Sequence, residues 1–204
     1  MVLQAGNLAL LGGQLCLDFT NTLQRRDADQ PHDFLASYSD LVSWSQHADI
    51  LTPEEADQLL EQAAARQAEA GAVLQHSLVL RETMYRLFSA IVHGQSPDST
   101  DMERLNAVLP GSLARRRIIA RSESFAWDWI RSDQALDCML WPVVESAADL
   151  LTAGELHRLR QCAGCGWLFL DRSRNGSRRW CDMRVCGNRA KARRYYERQQ
   201  RQST

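Results

Sequence analysis

Apolar residues recur at helical spacing soon after residue 30. From Asp33 onward the pattern fits one face of a helix, with apolar or small residues at Phe34, Tyr38, Leu41, Val42 and Ser45. In the TPEE sequence that follows, Thr52 can cap a helix, Pro53 suits its first position and Glu55 can complete a capping box. Two consecutive amphipathic helices are therefore predicted.

A longer amphipathic segment begins after Gly71 and is expected to end at Gly94. Ser99 or Thr100 can then cap a short helix. Because proline interrupts helical hydrogen bonding, this helix is expected to end before Pro110.

The spacing changes elsewhere in the same region. Residues 11–23 predict a short strand or a buried turn, and residues 115–131, RRRIIARSESFAWDWIR, predict a β-hairpin with SES as its turn. The aromatic residues on one face of its second strand are Phe125, Trp127 and Trp129. Helical spacing returns over residues 136–151, although Pro142 should kink or divide that helix. The predicted fold class is α+β: a mainly helical N-terminal domain with a β-hairpin or small sheet.

Charge divides the chain into two unequal parts. Residues 156–204 hold 13 Lys+Arg and 3 Asp+Glu, a formal +10, so residues 1–155 hold the remaining 11 and 22, a formal −11. This asymmetry suggests that the basic part binds a polyanion, and it predicts two domains, 1–152 and 153–204. A hydrophobic content of 45%, without a membrane-length apolar run or a signal peptide, predicts a soluble cytoplasmic protein with no membrane partner.

Four of the six cysteines form two pairs, Cys162-x2-Cys165 and Cys181-x4-Cys186. Tetrahedral zinc takes four soft donors, so the spacing predicts structural Zn²⁺ as the cofactor. A catalytic zinc is disfavoured because four thiolates leave no open coordination position. The alternatives are a redox dithiol, which leaves the second pair unexplained, and four buried cysteines without a ligand.

The residues around these pairs predict a treble-clef-like finger. The stretches GWLFLD and RRWC can pair as strands around an Asn-Gly turn, and the proline-free residues after Cys186 favour a helix. Because this segment has little apolar core of its own, metal binding should supply folding free energy on the order of 10 kcal/mol. Chelation is expected to unfold the segment first.

Arginines crowd the same segment, and their pattern predicts a nucleic-acid surface. The candidate contacts are Arg174, Arg178, Arg179, Arg189, Lys191, Arg193, Arg194 and Arg198. On the final helix a stripe at i, i+3, i+7 and i+10 consists of Lys191, Arg194, Arg198 and Arg201. The alternatives are a solvated basic helix and a helix that docks on the acidic domain of its own chain. Composition does not separate DNA from RNA.

These motifs resemble a known family. GWLFLDRSRNGSRRWC followed by CGNRAKARRYY looks like the CGNR zinc finger, whose tetrad is here Cys186, Gly187, Asn188 and Arg189. LCLDFTNTL, residues 15–23, is similar to a motif near the start of the ABATE domain that precedes this finger. The resemblance implies a bacterial, stress-responsive transcription regulator whose zinc ligands are the four paired cysteines.

A regulator needs an input, so polar and aromatic residues of the larger domain are candidates for an effector pocket. They are Asp18, Asn21, Arg81, Trp127 and Trp129. For each of them, a structural role in the core is the competing interpretation. No nucleophile elbow, phosphate loop or HExxH motif occurs, so an enzyme is not expected.

We therefore predict a DNA-binding transcription regulator with a small-molecule effector or a homodimer interface in its first domain. The alternative is a zinc-stapled module that binds protein or RNA without sequence-specific DNA binding.

Overall fold

The computed structural model describes residues 2–26, 28–130, 135–153 and 155–202. The seven α-helices of these residues are α1 (Leu15–Thr20), α2 (Tyr38–His47), α3 (Pro53–Ala65), α4 (Gln67–Val92), α5 (Ser99–Leu113), α6 (Leu140–Ala153) and α7 (Asn188–Gln202). The strands are β1 (Leu23–Gln24), β2 (His32–Asp33), β3 (Arg116–Ala120), β4 (Phe125–Trp129), β5 (Leu159–Gln161) and β6 (Leu168–Leu170). They form three antiparallel pairs, β1–β2, β3–β4 and β5–β6. This arrangement confirms the predicted α+β class.

The core is built around the short helix α1, which packs against α4, α6 and β6. All residues from Cys16 to Thr20 are buried, and the ring of Phe19 lies 5.2 Å from that of Trp44. The prediction of a strand or a turn over this stretch is wrong. A helix enclosed on every side needs no polar face, so its sequence lacks the period of a surface helix.

Local signals set several helix ends correctly. Thr52 and Glu55 form the predicted capping box of α3, and the predicted β3–β4 hairpin forms, with Ile118 opposite Trp127. Helix α2 begins later than predicted, because Ser37 caps it and Phe34 lies ahead of it.

Several glycine and proline residues lie inside helices that they were predicted to bound or interrupt. Gly71 lies inside α4, and Pro110 lies inside α5, whose N-cap is Asp98. Pro142 occupies the first turn of α6, where the missing N–H has no helical acceptor, and the helix continues through it. No helix among the described residues is long and apolar enough to cross a membrane.

Hydrogen bonds from β6 connect the basic C-terminal part to the N-terminal region. The side chain of Asn21, at the end of α1, accepts from the N–H of Leu168 and donates to its carbonyl, both at 2.9 Å. The N–H of Leu170 donates to the carbonyl of Gly12. Residues 167–170 are buried in the common core. The segment, predicted to have little apolar core of its own, thus packs its apolar residues into the core of α1 and α4.

The predicted pairing of GWLFLD with RRWC is also wrong. Strand β6 pairs with β5, placing Arg160 opposite Phe169, whereas residues 177–180 form no strand. The Asn-Gly turn does form, with Gly176 at φ +58°. Asp171 organises this turn, since its carboxylate accepts from the N–H groups of Ser173 and Arg178. Burial alone would raise the pKa of Asp171, but these donors hold it at about 2.

Candidate zinc centre and nucleic-acid interface

The four paired cysteines meet in one buried cluster. Their sulfur atoms all lie within 4.8 Å of one another, with Sγ–Sγ distances of 3.6 Å for Cys165–Cys181 and 3.8 Å for Cys181–Cys186. Four thiolates about 2.3 Å from a tetrahedral zinc ion lie about 3.8 Å apart. The cluster therefore fits a zinc ion with a complete shell and no position for a substrate.

Two tight turns bring the ligands together. Cys162 and Cys165 lie on a knuckle after β5, in which the N–H of Gly166 donates to the carbonyl of Cys162. Cys186 lies in a π-helical turn, Met183–Gly187, that leads directly into α7. Asp182 caps this turn by accepting from the N–H of Arg184. The last ligand therefore fixes the direction in which α7 leaves the finger.

The thiols already interact strongly. The pKa of Cys162 is lowered because the thiols of Cys165 and Cys181 hydrogen bond to its sulfur. Burial raises the pKa of Cys186. A divalent cation at the centre of the cluster would replace these shared protons and favour four thiolates, which is the ligand state that zinc requires.

Comparison with known families accounts for both parts of the chain. Residues 13–154 match the model of ABATE, described as "Putative stress-induced transcription regulator". The chain belongs to the ABATE family. Residues 158–199 match the CGNR zinc finger, so Cys162, Cys165, Cys181 and Cys186 form the structural zinc site of that finger. No curated protein sequence gives a match to the chain.

The residues of the CGNR tetrad have different surroundings in the structure. Cys186 is a ligand. A Cβ atom at Gly187 would lie 2.9 Å from the terminal atoms of the exposed Met183 side chain, which would have to move aside. Asn188 donates to the carbonyl of Arg184 and thereby closes the π-helical turn. Arg189 is exposed in the first turn of α7.

Arg189 forms part of a groove beside the CGNR finger's knuckle. This groove, which we call the arginine groove, has a volume of about 350 Å³ and is lined by four guanidinium side chains: Arg179, Arg189, Arg193 and Arg194. Trp180 and the knuckle residues Ala163 and Gly164 complete its walls. The guanidinium carbon of Arg179 lies 5.7 Å from the centre of the Trp180 ring.

The structure thus brings together four of the eight predicted nucleic-acid contacts. Lys191 and Arg198 are exposed elsewhere on α7, and Arg174 is exposed at the turn before Cys181. Arg178 differs from the others: its guanidinium donates to the carbonyl of Cys181 and lies 5.1 Å from the ring of Phe169. These contacts favour a structural role for Arg178. The side chain of Arg201, the last member of the predicted stripe, lies outside the described residues.

Helix α7 does not dock on the acidic ABATE region. The described side chains from Lys191 to Gln200 are all exposed, including Tyr195 and Tyr196. A helix docked on a neighbouring surface would bury one face. The intramolecular alternative is therefore wrong for the described part of α7, and its positive charge faces solvent.

The five residues predicted to line an effector pocket are dispersed among separate contacts. Buried Asp18 accepts from the N–H of Gly12, and Asn21 binds Leu168. Arg81 forms a bidentate ion pair with Asp33, at 2.7 and 2.8 Å.

The two tryptophans of that prediction lie on the β3–β4 hairpin. The Trp127 side chain is 58% exposed and lies under the guanidinium of Arg116, whereas Trp129 packs near Trp141 of α6. The geometry gives each of these residues structural contacts of its own. Trp180 and the knuckle backbone, which do line a groove, were missed because their neighbours come from three separate stretches of sequence.

Proposed function

We propose that the chain is a DNA-binding transcription regulator whose CGNR finger binds nucleic acid through the arginine groove. Four arginines line a single groove of about 350 Å³, a space large enough for a phosphate group. Guanidinium groups bind phosphate oxygens through paired donors, and a convergent set neutralises several phosphates at once. The observation that carries the proposal is this convergence at a helix start that zinc holds in place.

Zinc supports this function by positioning residues and not by chemistry. The N–H of the knuckle residue Ala163 donates to the carbonyl of Arg179, and Arg189 lies at the start of α7, three residues after the ligand Cys186. Loss of the metal should therefore separate the two walls of the groove. The ABATE region contributes through Asn21, which fixes β6 and with it the orientation of the finger. We propose that the protein acts by binding, without catalysis.

The direct test is enrichment of random duplex DNA by the zinc-loaded protein, followed by binding measurements on the selected sequence. The double variant Arg189→Gln/Arg193→Gln should weaken binding by at least tenfold, since each phosphate contact contributes to affinity. Arg121→Gln is the matched control, because Arg121 is an exposed arginine at the tip of the β3–β4 hairpin. Equal affinity of the double variant and the control would contradict the proposal.

The same assay separates the remaining candidates. Selection of single-stranded or structured RNA in preference to duplex DNA would favour an RNA-binding module. Binding that survives chelation of zinc would separate nucleic-acid contact from the finger.

A further inference from the structure

One face of the β3–β4 hairpin presents large apolar side chains to solvent. Side chains alternate between the two faces of a strand, so Ile118, Phe125 and Trp127 lie on the same face. These side chains are 62%, 79% and 58% exposed, respectively. Ile118 lies opposite Trp127 and exposed Ala120 lies opposite Phe125, which makes the apolar surface continuous across both strands. We call these four residues the hairpin patch.

The base of the same face packs against α6. The ring of Trp129, two residues beyond Trp127, lies 6.3 Å from that of Trp141, and Arg116 forms an ion pair with Glu145. The hairpin patch is therefore the outer continuation of a face whose base is already packed. A two-stranded hairpin is only marginally stable in water by itself, and an apolar face normally needs a further layer against it.

The arginines around the hairpin patch are largely engaged within the chain. Arg116 pairs with α6, and Arg117, on the opposite face, pairs with Asp128 at 2.7 Å. The guanidinium carbon of Arg115 lies 4.6 Å from the centre of the Trp141 ring. A nucleic-acid surface needs cations that can reach phosphates, as those of the arginine groove can. The hairpin patch therefore favours an apolar partner over a nucleic acid.

The area of the hairpin patch is enough for a weak dimer. A fully exposed aromatic side chain offers about 150–250 Å², so the exposed fractions of Ile118, Phe125 and Trp127 correspond to on the order of 400 Å² together. Two copies that meet through this surface bury roughly 800 Å², and the surrounding polar rim brings the total to about 1,000 Å². This total lies at the lower limit for specific interfaces, so we expect dissociation in the micromolar range.

A second copy of the chain matches the hairpin patch in polarity and in rim charge. A two-fold axis places the patch against itself, so an apolar face meets an equally apolar face. The four patch residues carry no charge that such a contact would bury. The turn beside them carries one cation and one anion, Arg121 and Glu123, so neither sign is in excess where the rims of two copies meet.

We propose that the chain forms a two-fold dimer in which the hairpin patches of two copies pack face to face. Phe125 and Trp127 of each copy are enclosed by the hairpin of the other, which supplies the missing layer. The hairpin patch shares no residue with the arginine groove, so the dimer does not depend on the proposed function.

The first experiment is sedimentation equilibrium of the zinc-loaded full chain between about 1 and 500 µM, the range in which a small interface associates. The weight-average mass should rise from that of one chain toward that of two. Phe125→Glu/Trp127→Glu places like charges in the contact and should weaken dimerisation at least about tenfold. Leu60→Glu/Val79→Glu is the matched control, because both side chains are exposed apolar residues, on α3 and α4. Far-UV circular dichroism checks that each variant is folded.

A second measurement needs no substitution. Amide and indole NMR signals of residues 118–127 should shift with the concentration of the native chain, while amide signals of residues 189–194 stay constant. A native chain that stays monomeric, a dimer that perturbs other residues instead, or equal dimerisation of the two variants would overturn the proposal. A monomeric native chain whose duplex affinity falls in the hairpin variant, but not in the control, would assign the patch to nucleic acid and overturn the dimer.

Discussion

Replacing Asn21 by alanine tests how the finger is attached to the ABATE region. Asn21 is 1% exposed, and its amide satisfies both the N–H and the carbonyl of fully buried Leu168. The alanine variant leaves these two backbone groups without their partner in a dry environment. Each unsatisfied buried polar group costs about 1–3 kcal/mol, so for the two groups we expect a loss of about 2–6 kcal/mol in the free energy of unfolding.

The assay is urea denaturation of the zinc-loaded protein, with hydrogen exchange to locate the effect. Exchange of the Leu168 and Leu170 amides should accelerate, because β6 loses its anchor on α1. Asn106→Ala is the matched control: Asn106 is exposed on α5, where such a substitution changes stability by less than about 0.5 kcal/mol. A loss below about 0.5 kcal/mol in the Asn21 variant would show that β6 does not depend on this amide.

Three further predictions concern the core and the finger. Burial raises the pKa of Asp18 to about 6, above its usual 3.8, so folding stability should fall as pH rises through that interval. In denaturation curves, Asp18→Asn should therefore gain stability relative to the native chain by up to about 3 kcal/mol between pH 4 and 7. A pH-independent difference between the two proteins would contradict this. Chelation of zinc should abolish hydrogen-exchange protection over residues 181–188, while the Leu168 amide stays protected by the shared core. Simultaneous loss of protection at residues 181–188 and at Leu168 would mean that zinc holds β6 as well. Gly187→Ala should leave zinc retention close to that of the native chain in competition with a chromogenic chelator, since its Cβ comes closest to the terminal atoms of the exposed Met183 side chain, which can move aside. A clear loss of retention would show that Met183 is held in place.

Features that depend on neighbouring residues could be predicted from the sequence. The capping box of α3 involves residues 52–55, and the β3–β4 hairpin closes through a turn of a few residues. The cysteine spacing predicted the zinc site for a similar reason, because a short turn brings the two members of each pair together. Each of these elements is determined by local geometry and hydrogen bonding.

Features that depend on distant partners could not be predicted. The choice of β5 as the partner of β6 arises from burial against α1 and α4, which the residues between the cysteine pairs do not reveal. Asp18 and Asn21 resembled a polar binding site, yet their side chains satisfy backbone groups of Gly12 and Leu168. A buried amide that binds backbone and one that binds a ligand have the same sequence signal.

The arginine groove illustrates the same limit. Arg179 precedes Cys181, whereas the other three arginines lie on α7. Their convergence follows from the zinc cluster, and a helical stripe drawn from the sequence groups a different set of residues. The eight predicted contacts therefore include all four arginines of the groove, but the sequence does not show which four lie together.

The salt dependence of duplex binding tests the central claim most directly. The measurement compares the slope of log K against log salt for the zinc-loaded native chain and for a variant in which all four groove arginines are glutamine. Each phosphate contact contributes about 0.9 to the slope for duplex DNA, so the variant's slope should be shallower by about 3 to 4. An unchanged slope, with the duplex still bound, would show that the arginine groove does not hold the phosphates.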